Sequence, residues 1–476
     1  MNREQGTHVA PLPSQSPRWV LALAALASFM IALDALVVTT ALGAIGRSFD
    51  APIEALEWTV NAYNLSFAVL LMTGAALGDR FGRRRMLVAG LVIFVAASAG
   101  CAMAGSVAWL IAARALQGLG AALAMPLAMA LLGEAFPKET RARALGIFGS
   151  VTGLALIVGP AAGGAVAEGL DWRWIFWINL PIGLVAVALI LRRIRESHGP
   201  AAAIDLPGVL LVTGAILGAV WGLSRGHEAG WASLEVAGSL TAGLLLAIGF
   251  LAWEQRAAAP MLPLALFRSR AFSSGIAASF LFYAPMYGTV FFLPQFLQAQ
   301  GAGPLGAGLR LLPWTATLFV VAPIAGGMVN RFGERPLVVC GVLLQAIGSA
   351  WIALVAAPEL PYLQLVPPLI LSGVGVSMAM PAAQNAVLGS VAPPNIGKAS
   401  GSFNMFRYLG GMFGIALLVE VFGLRGSLAS PEAFSRGFAE AMGAGALLSM
   451  LAVLAAWQLP SANKLFRPLP EKGVRS

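Results

Sequence analysis

Histidine is almost missing from this 476-residue chain: His8, His198 and His227 are its only three, and each falls in a polar segment. No cluster of them is available to hold a metal or to serve a hydrolytic triad. Cysteine is as scarce, and Cys101 and Cys340 both lie in apolar runs, where they read as small buried hydrophobes and not as a disulfide or redox pair. Charge is thin as well: 11% of residues are Asp, Glu, Lys or Arg against 58% hydrophobic, with a mean hydropathy of +0.81. So little polar surface rules out a set of ordinary soluble domains. The phosphate-cradling glycine loop of an ATP-driven pump is not present either. A membrane-embedded transferase would need clustered catalytic His, Asp or Glu near an interface, and a receptor would need an appended soluble output domain; neither is found.

What fills the chain is apolar sequence, in stretches long enough to cross a bilayer, which takes roughly 20 residues. Reading them between polar breaks predicts an all-α integral membrane protein with fourteen spans, near 19–41, 57–78, 86–104, 107–132, 142–167, 174–191, 205–223, 234–253, 272–297, 306–329, 337–357, 363–388, 399–421 and 438–459. The first is too long for a cleaved secretory signal and carries Asp34, so it reads as a retained span. The net charge of +9 does not point to nucleic acid, because Lys and Arg gather at the ends of apolar stretches. With the N-terminus in the cytoplasm, twenty-two of them fall on that side, and only Arg47, Arg173, Arg225, Arg425 and Arg436 in external loops. The positive-inside rule then places both termini in the cytoplasm; a bacterial inner membrane is the expected location.

A parallel repeat runs through the sequence. Gly118, Gly120, Met125, Pro126, Gly146 and Gly159 recur 255 residues later as Gly373, Gly375, Met380, Pro381, Gly401 and Gly414, and Arg80–Phe81–Gly82 recurs at an offset of 251 as Arg331–Phe332–Gly333. Span 2 therefore maps onto span 10, an even offset of eight that keeps both halves in one orientation. The division expected is a tail over 1–18, a six-helix bundle over 19–191, two inserted helices with linkers over 192–271, a second six-helix bundle over 272–459 and a tail over 460–476.

Three motifs carry a family resemblance. Gly74 to Leu87, centred on Asp79, Arg80, Gly82, Arg83 and Arg84, resembles the loop signature of the major facilitator superfamily; Arg114, Gln117, Gly118 and Gly120 resemble its second signature; and Gly159–Pro160 with Gly163–Gly164 resemble its antiporter signature. Leu33–Asp34, Trp58, Tyr63, the run from Trp172 to Gly183 and the run from Asn404 to Gly411 are similar to the fourteen-span drug:proton antiporter family. Ala75, Ala155 and Tyr408 depart from its usual Gly, Gly and Gln. The resemblance implies a major facilitator fold of two six-helix bundles plus two inserted helices. It also implies a proton-coupled exporter of small amphipathic or cationic compounds, with no cofactor beyond the proton gradient. Multidrug efflux and export of one natural product, siderophore or lipid both fit, and a periplasmic adaptor protein is a conceivable partner in a Gram-negative host.

Within that frame Asp34 is the candidate proton carrier, because an ionised carboxylate at mid-span costs roughly 2.5 to 3.5 kcal/mol and is kept mostly for function. Helix rise puts Asp34 about 22 Å from the cytoplasmic end and Arg114 about 10 Å from the outer face of a ~30 Å core, with Asn61 and Asn64 within about 5 Å of that level. A polar cluster of Asp34, Asn61, Arg114 and Gln117 is expected, although Arg114 could instead tie helices together through backbone carbonyls. Asn61, Asn64 and Gln117, with Asn404, Arg407 and Glu420 on span 13, are candidate substrate-binding residues, Arg407 shaping the cavity electrostatically and Glu420 lying near the external rim, where a solvated carboxylate is the alternative; Tyr283, Tyr287 and Trp314 are candidate ligand contacts through the family's cavity position. The loop residues read as a latch or as plain topology control, and Gly159, Pro160, Gly163 and Gly164 as a close rocking interface.

Overall fold

The computed structural model describes residues 16–199, 204–258, 260–392 and 395–460. The tails expected over 1–18 and 460–476 therefore lie outside the described residues almost entirely. Among the described residues, fourteen helices are long and apolar enough to cross a membrane. They are α1 (Pro17–Phe49), α2 (Ile53–Phe81), α3 (Arg83–Ala102), α4 (Val107–Ala135), α5 (Lys138–Gly169), α6 (Trp174–Arg193), α7 (Leu206–Ser224), α8 (Leu234–Glu254), α9 (Arg270–Ala299), α10 (Pro304–Val329), α11 (Glu334–Val355), α12 (Tyr362–Gly389), α13 (Ile396–Gly423) and α14 (Pro431–Trp457). Helices are what a lipid interior demands, since each backbone N–H and C=O must be satisfied within its own segment. Both α1 and α13 begin on the face that bears the chain ends, here the terminal face; the opposite one is the far face.

Polar residues start the helices where the apolar pattern only suggests a region. Ser106, Ser233, Ser269 and Ser430 each accept a hydrogen bond from the backbone N–H three residues on, the N-cap arrangement that satisfies one orphan donor. The helices also overrun the expected ends: α1 continues to Phe49, where Asp50 adopts a left-handed conformation (φ 48°) and its N–H returns to Gly46. Span 10 is not one continuous helix, being interrupted near Leu311 and Ala316. The repeat is visible in the turns: Gly82 (φ 106°) joins α2 to α3 and Gly333 (φ 79°) joins α10 to α11, both in a region that favours glycine. It is visible in the packing too, with Gly118 against the Tyr63 backbone and Gly373 against the backbone of Trp314, 251 residues on.

The outer surface is apolar, as lipid requires: Leu354, Leu363, Leu447 and Leu454 are exposed. Cys340 is exposed as well, against the expectation of a buried thiol, while Cys101 is buried as expected. An apolar run does not say which face of a helix looks at lipid. The inserted helices α7 and α8 pair through glycines, Gly218 and Gly243 approaching backbone to backbone. One side of α7, Val209, Val212, Ile216 and Val220, covers α2 and α13 at Trp58, Leu65, Met405 and Met412.

Asp205, just outside α7, anchors the base of this hairpin. It accepts from the Gly208 N–H at 2.9 Å, from Trp253 Nε1 on α8 at 2.6 Å and from the Met261 N–H at 3.4 Å. Burial pushes its carboxyl up, but these hydrogen bonds outweigh it and hold it below the usual carboxylate range. Because the folded carboxyl is the stronger acid, its contribution is complete above an unfolded value of ~3.9 and is lost as pH falls through the lower folded one. Asp205→Ala is expected to cost about 1 kcal/mol through the lost cap. Hydrogen exchange at neutral pH checks this: amides over 206–254 should exchange faster than in the parent, and equal rates would reject the anchor.

The two sets of six helices meet along two seams. On one, α2 and α13 touch from Met72 against Gly401 to Phe67 against Tyr408. On the other, α5 meets α10 at the far face, where Gly164 lies on the backbone of Pro304 and Leu305, and Gly308 on that of Pro160 and Ala161. Glu168 adds a hydrogen bond from the Leu305 N–H at 2.9 Å, and Gln298 of α9 donates to the Thr40 carbonyl of α1 at 2.8 Å. Toward the terminal face the same helices are spaced apart: a Cβ at Gly149 or Gly153 of α5, or at Gly326 or Gly327 of α10, would meet no atom within 4 Å. The seam is closed at the far face and open at the other.

Candidate functional site

Four helices converge on Asp34, which is 2% exposed. Arg114 Nη1 of α4 lies 2.5 Å from its Oδ2, while Gln117 Nε2, one turn along α4, and Asn179 Nδ2 of α6 donate to its Oδ1 at 2.8 and 2.7 Å. Ser98 of α3 takes the second hydrogen of Asn179 at 3.0 Å and passes its own to the Phe176 carbonyl. Arg114 is further held by the Gln117 Oε1 at 2.7 Å and the Thr59 carbonyl at 3.1 Å, with the Tyr63 ring 4.4 Å from its Cζ. An ion pair this dry persists because Asp34 accepts from Arg114, Gln117 and Asn179 while Arg114 donates also to Gln117 and the Thr59 carbonyl; removing one member costs about 3 to 5 kcal/mol.

The sequence placed Asp34, Arg114 and Gln117 together, and the structure does the same. Asn61 does not join them. Depth along the membrane was the same, but its position around the α2 axis turns it toward Glu57, whose Oε1 accepts from Asn61 Nδ2 at 2.8 Å. Asn64 is buried and makes no bond to Asp34. Asn179 and Ser98 went unassigned, although the run from Trp172 to Gly183 contains the former; an Asn inside an aromatic-rich apolar stretch was the available signal. Glu420 is 6% exposed, so it is a buried carboxyl and not the solvated one expected at the rim, because the α2, α7 and α13 junction closes over it.

A chain of rings leads from this cluster across the α2–α13 seam. Tyr63 stacks on Phe67 at 6.2 Å between centroids, Phe67 meets Tyr408 at 4.6 Å, and Tyr408 meets Tyr287 at 6.1 Å. Tyr287 in turn faces Tyr283, which is fully buried. The Arg407 guanidinium sits over both Tyr283 and Tyr408 at 5.2 Å, and its Nε is buried with no acceptor. Tyr287, Arg407 and Tyr408 are only half-buried. Asn404, one turn below, is half-buried and donates to the Ser400 carbonyl at 2.9 Å. Trp314 stands apart from these tyrosines, buried against Ser372, with its ring at a small void shared with Leu36 and Pro160 of the other half.

The loop residues build a knot at the terminal face within the first six helices. Asp79 pairs with Arg83 at 2.8 Å and Arg83 with Glu134 at 3.1 Å, while Arg80 lies over the Phe81 ring. Glu196, from the strand of chain after α6, accepts from the N–H groups of Arg84 and Arg85 at 2.8 and 3.1 Å, capping α3. The glycines of α5 divide by role: Gly159 and Gly163 lie on α1 at Leu36, Val37 and Thr40, whereas Pro160 and Gly164 lie on α10 in the other half.

Comparison with known proteins agrees with this architecture. The family description "Major Facilitator Superfamily" matches residues 24–415. The chain is 34% identical to a tetracenomycin C resistance and export protein of Streptomyces glaucescens, over 87% of this chain and 78% of that one. It is 33% identical to a methylenomycin A resistance protein of Streptomyces coelicolor, over 96% of each. Identity to a multidrug transporter protein, MdtP, of Bacillus subtilis is 32%, over 84% of this chain and 74% of its relative. Among solved structures, a partially occluded inward-open xylose transporter from E. coli superposes with a TM-score of 0.62 at 17% identity, covering 94% of this chain and 99% of that one. A POT-family transporter bound to 5-aminolevulinic acid gives 0.69 at 12% identity, over 94% and 96%. With its paired glycine turns, its buried signature residues and its fourteen membrane-length helices, the chain belongs to the major facilitator superfamily and is a multi-pass membrane transporter, not an enzyme.

Proposed function

We propose that the protein exports small amphipathic compounds in exchange for protons, with Asp34 as the proton carrier and the half-buried face of Tyr287, Tyr408 and Arg407 as the ligand surface. The observation that carries the reading is the dry Asp34–Arg114 pair, joined to that surface by the Tyr63–Phe67–Tyr408 ring contacts. Protonating Asp34 frees Arg114 from its counter-charge; the guanidinium then pulls on Tyr63 and the seam behind it. With the terminal face toward the cytoplasm, the present arrangement admits ligand from inside. A tilt that parts Gly164 from Pro304 then turns the site outward, where protons are taken up and the ligand leaves. One pH unit across the membrane supplies about 1.4 kcal/mol per proton, enough for a roughly tenfold gradient.

In energised inverted vesicles, addition of a transported compound should release protons in proportion to its uptake, and flux indifferent to pH and voltage would reject the exchange. Arg407 suits a ligand that carries an acceptor or anionic group beside its flat apolar part, because its buried Nε lacks one. Arg407→Gln is expected to raise the half-saturating concentration about tenfold, or ~1.4 kcal/mol, with protons released per molecule unchanged; an unaltered concentration dependence would remove Arg407 from the site. Export of one dedicated product is the second reading, favoured by the relatives named for tetracenomycin C and methylenomycin A.

A further inference from the structure

Glu57 is fully buried four residues into α2, about 6 Å from its far-face end. Its Oε1 accepts from Asn61 Nδ2 and from Ser224 Oγ, the last residue of the inserted helix α7, both at 2.8 Å. Its Oε2 has no partner, and neither does the Oδ1 of Asn61, which is itself fully buried. Two orphan acceptors side by side in a dry site need a donor.

The charged neighbours give no relief. On its own helix Glu54 is acidic, and α13 presents Glu420; both are close enough for their fields to reach Glu57. From α4 comes Arg114, already held by Asp34, and beyond the end of α7 comes Arg225, paired with Glu235 at 3.1 Å. The side chains of His227 and Glu228 lie outside the described residues. A carboxylate here would keep its full charge in a dry site against two neutral donors, with no counter-charge among the described residues to offset its desolvation. The repeat offers no counterpart, since residue 308, at the 251 offset, is Gly.

We propose that Glu57 is a second proton-binding residue, carrying its proton on Oε2 while the far face is closed and exchanging it there when the seam opens. The proton removes the charge and supplies the donor the site lacks. The location supports exchange: α2, α7 and α13 meet here, Trp58 packs against Trp221 at 5.7 Å, and a tilt of α13 away from α2 would admit water along a path of one helical turn. This rests on the proton-exchange reading above and adds to it a second proton per transport cycle.

Infrared spectroscopy of the purified protein in lipid nanodiscs reads the protonation without transport. At pH 7, Glu57→Gln should delete one protonated-carboxyl carbonyl band, and Ser224→Ala should shift that band without removing it. Spectra of Glu57→Gln and parent that coincide would overturn the proposal. In reconstituted vesicles the protons released per transported molecule should fall by half in Glu57→Gln. An unchanged ratio would mean that the proton is fixed, and would overturn the exchange. Absence of any substrate-driven release in the parent would sink the export reading instead, leaving the band to decide on Glu57.

Discussion

Asp34→Asn is expected to abolish substrate-driven proton release and to bring energised export down to the passive rate, at least a tenfold fall for each pH unit of gradient. Asn can occupy the same space and keep a hydrogen bond with Gln117 or Asn179, but it has no charge to give up. Arg114 would then stand in a dry site without its 2.5 Å partner, a loss of about 3 to 5 kcal/mol. Stability and coupling should therefore fall together in the single variant. They separate in the double variant Asp34→Asn with Arg114→Gln, where removal of both charges restores the melting temperature and leaves proton release at zero. Energised export that persists in a well-folded Asp34→Asn protein with the parent's number of protons released per molecule would take Asp34 out of the mechanism.

The other large effect is expected at Gly164. A Cβ at this position would fall on the Pro304 carbonyl and within 2.7 Å of the Leu305 Cα, backbone that no rotamer change can move. Gly164→Leu should wedge α5 from α10 by an overpacking term of about 1 to 3 kcal/mol, and each 1.4 kcal/mol shifts the balance of states tenfold. Export should be lost, while a thiol introduced at Leu36 should become reactive from the far face at least tenfold faster. The exposed Cys340 must first be replaced for that labelling to be read cleanly; Cys101 is buried. Retained export with slow labelling would show that this contact does not seal the seam.

Much of the molecule was legible in advance where a constraint is one-dimensional. Span number follows from bilayer thickness, and the glycine turns at Gly82 and Gly333 follow from backbone sterics that no neighbour can relax. Helix rise placed Asp34 and Arg114 at one depth correctly for the same reason. Rotation about the helix axis was not accessible in that way. Asn61 shares the depth and faces Glu57; Cys340 lies in an apolar run and faces out; Glu420 sits near a helix end and is covered by its neighbours. Glu57 itself looked like a residue at the edge of a span until Ser224, 167 positions away, closed over it.

Composition and the linear pattern thus settle that the chain lives in lipid, how often it crosses, and that its halves repeat, since those follow from hydrophobicity, fixed rise and local sterics. Which polar groups meet is settled by how α1, α3, α4 and α6 are turned against one another, and by how α7 lies over α2 and α13. Burial of a charge is a property of its surroundings in three dimensions, and the cost of leaving it unpaired is what selects Ser98, Gln117 and Asn179 around Asp34.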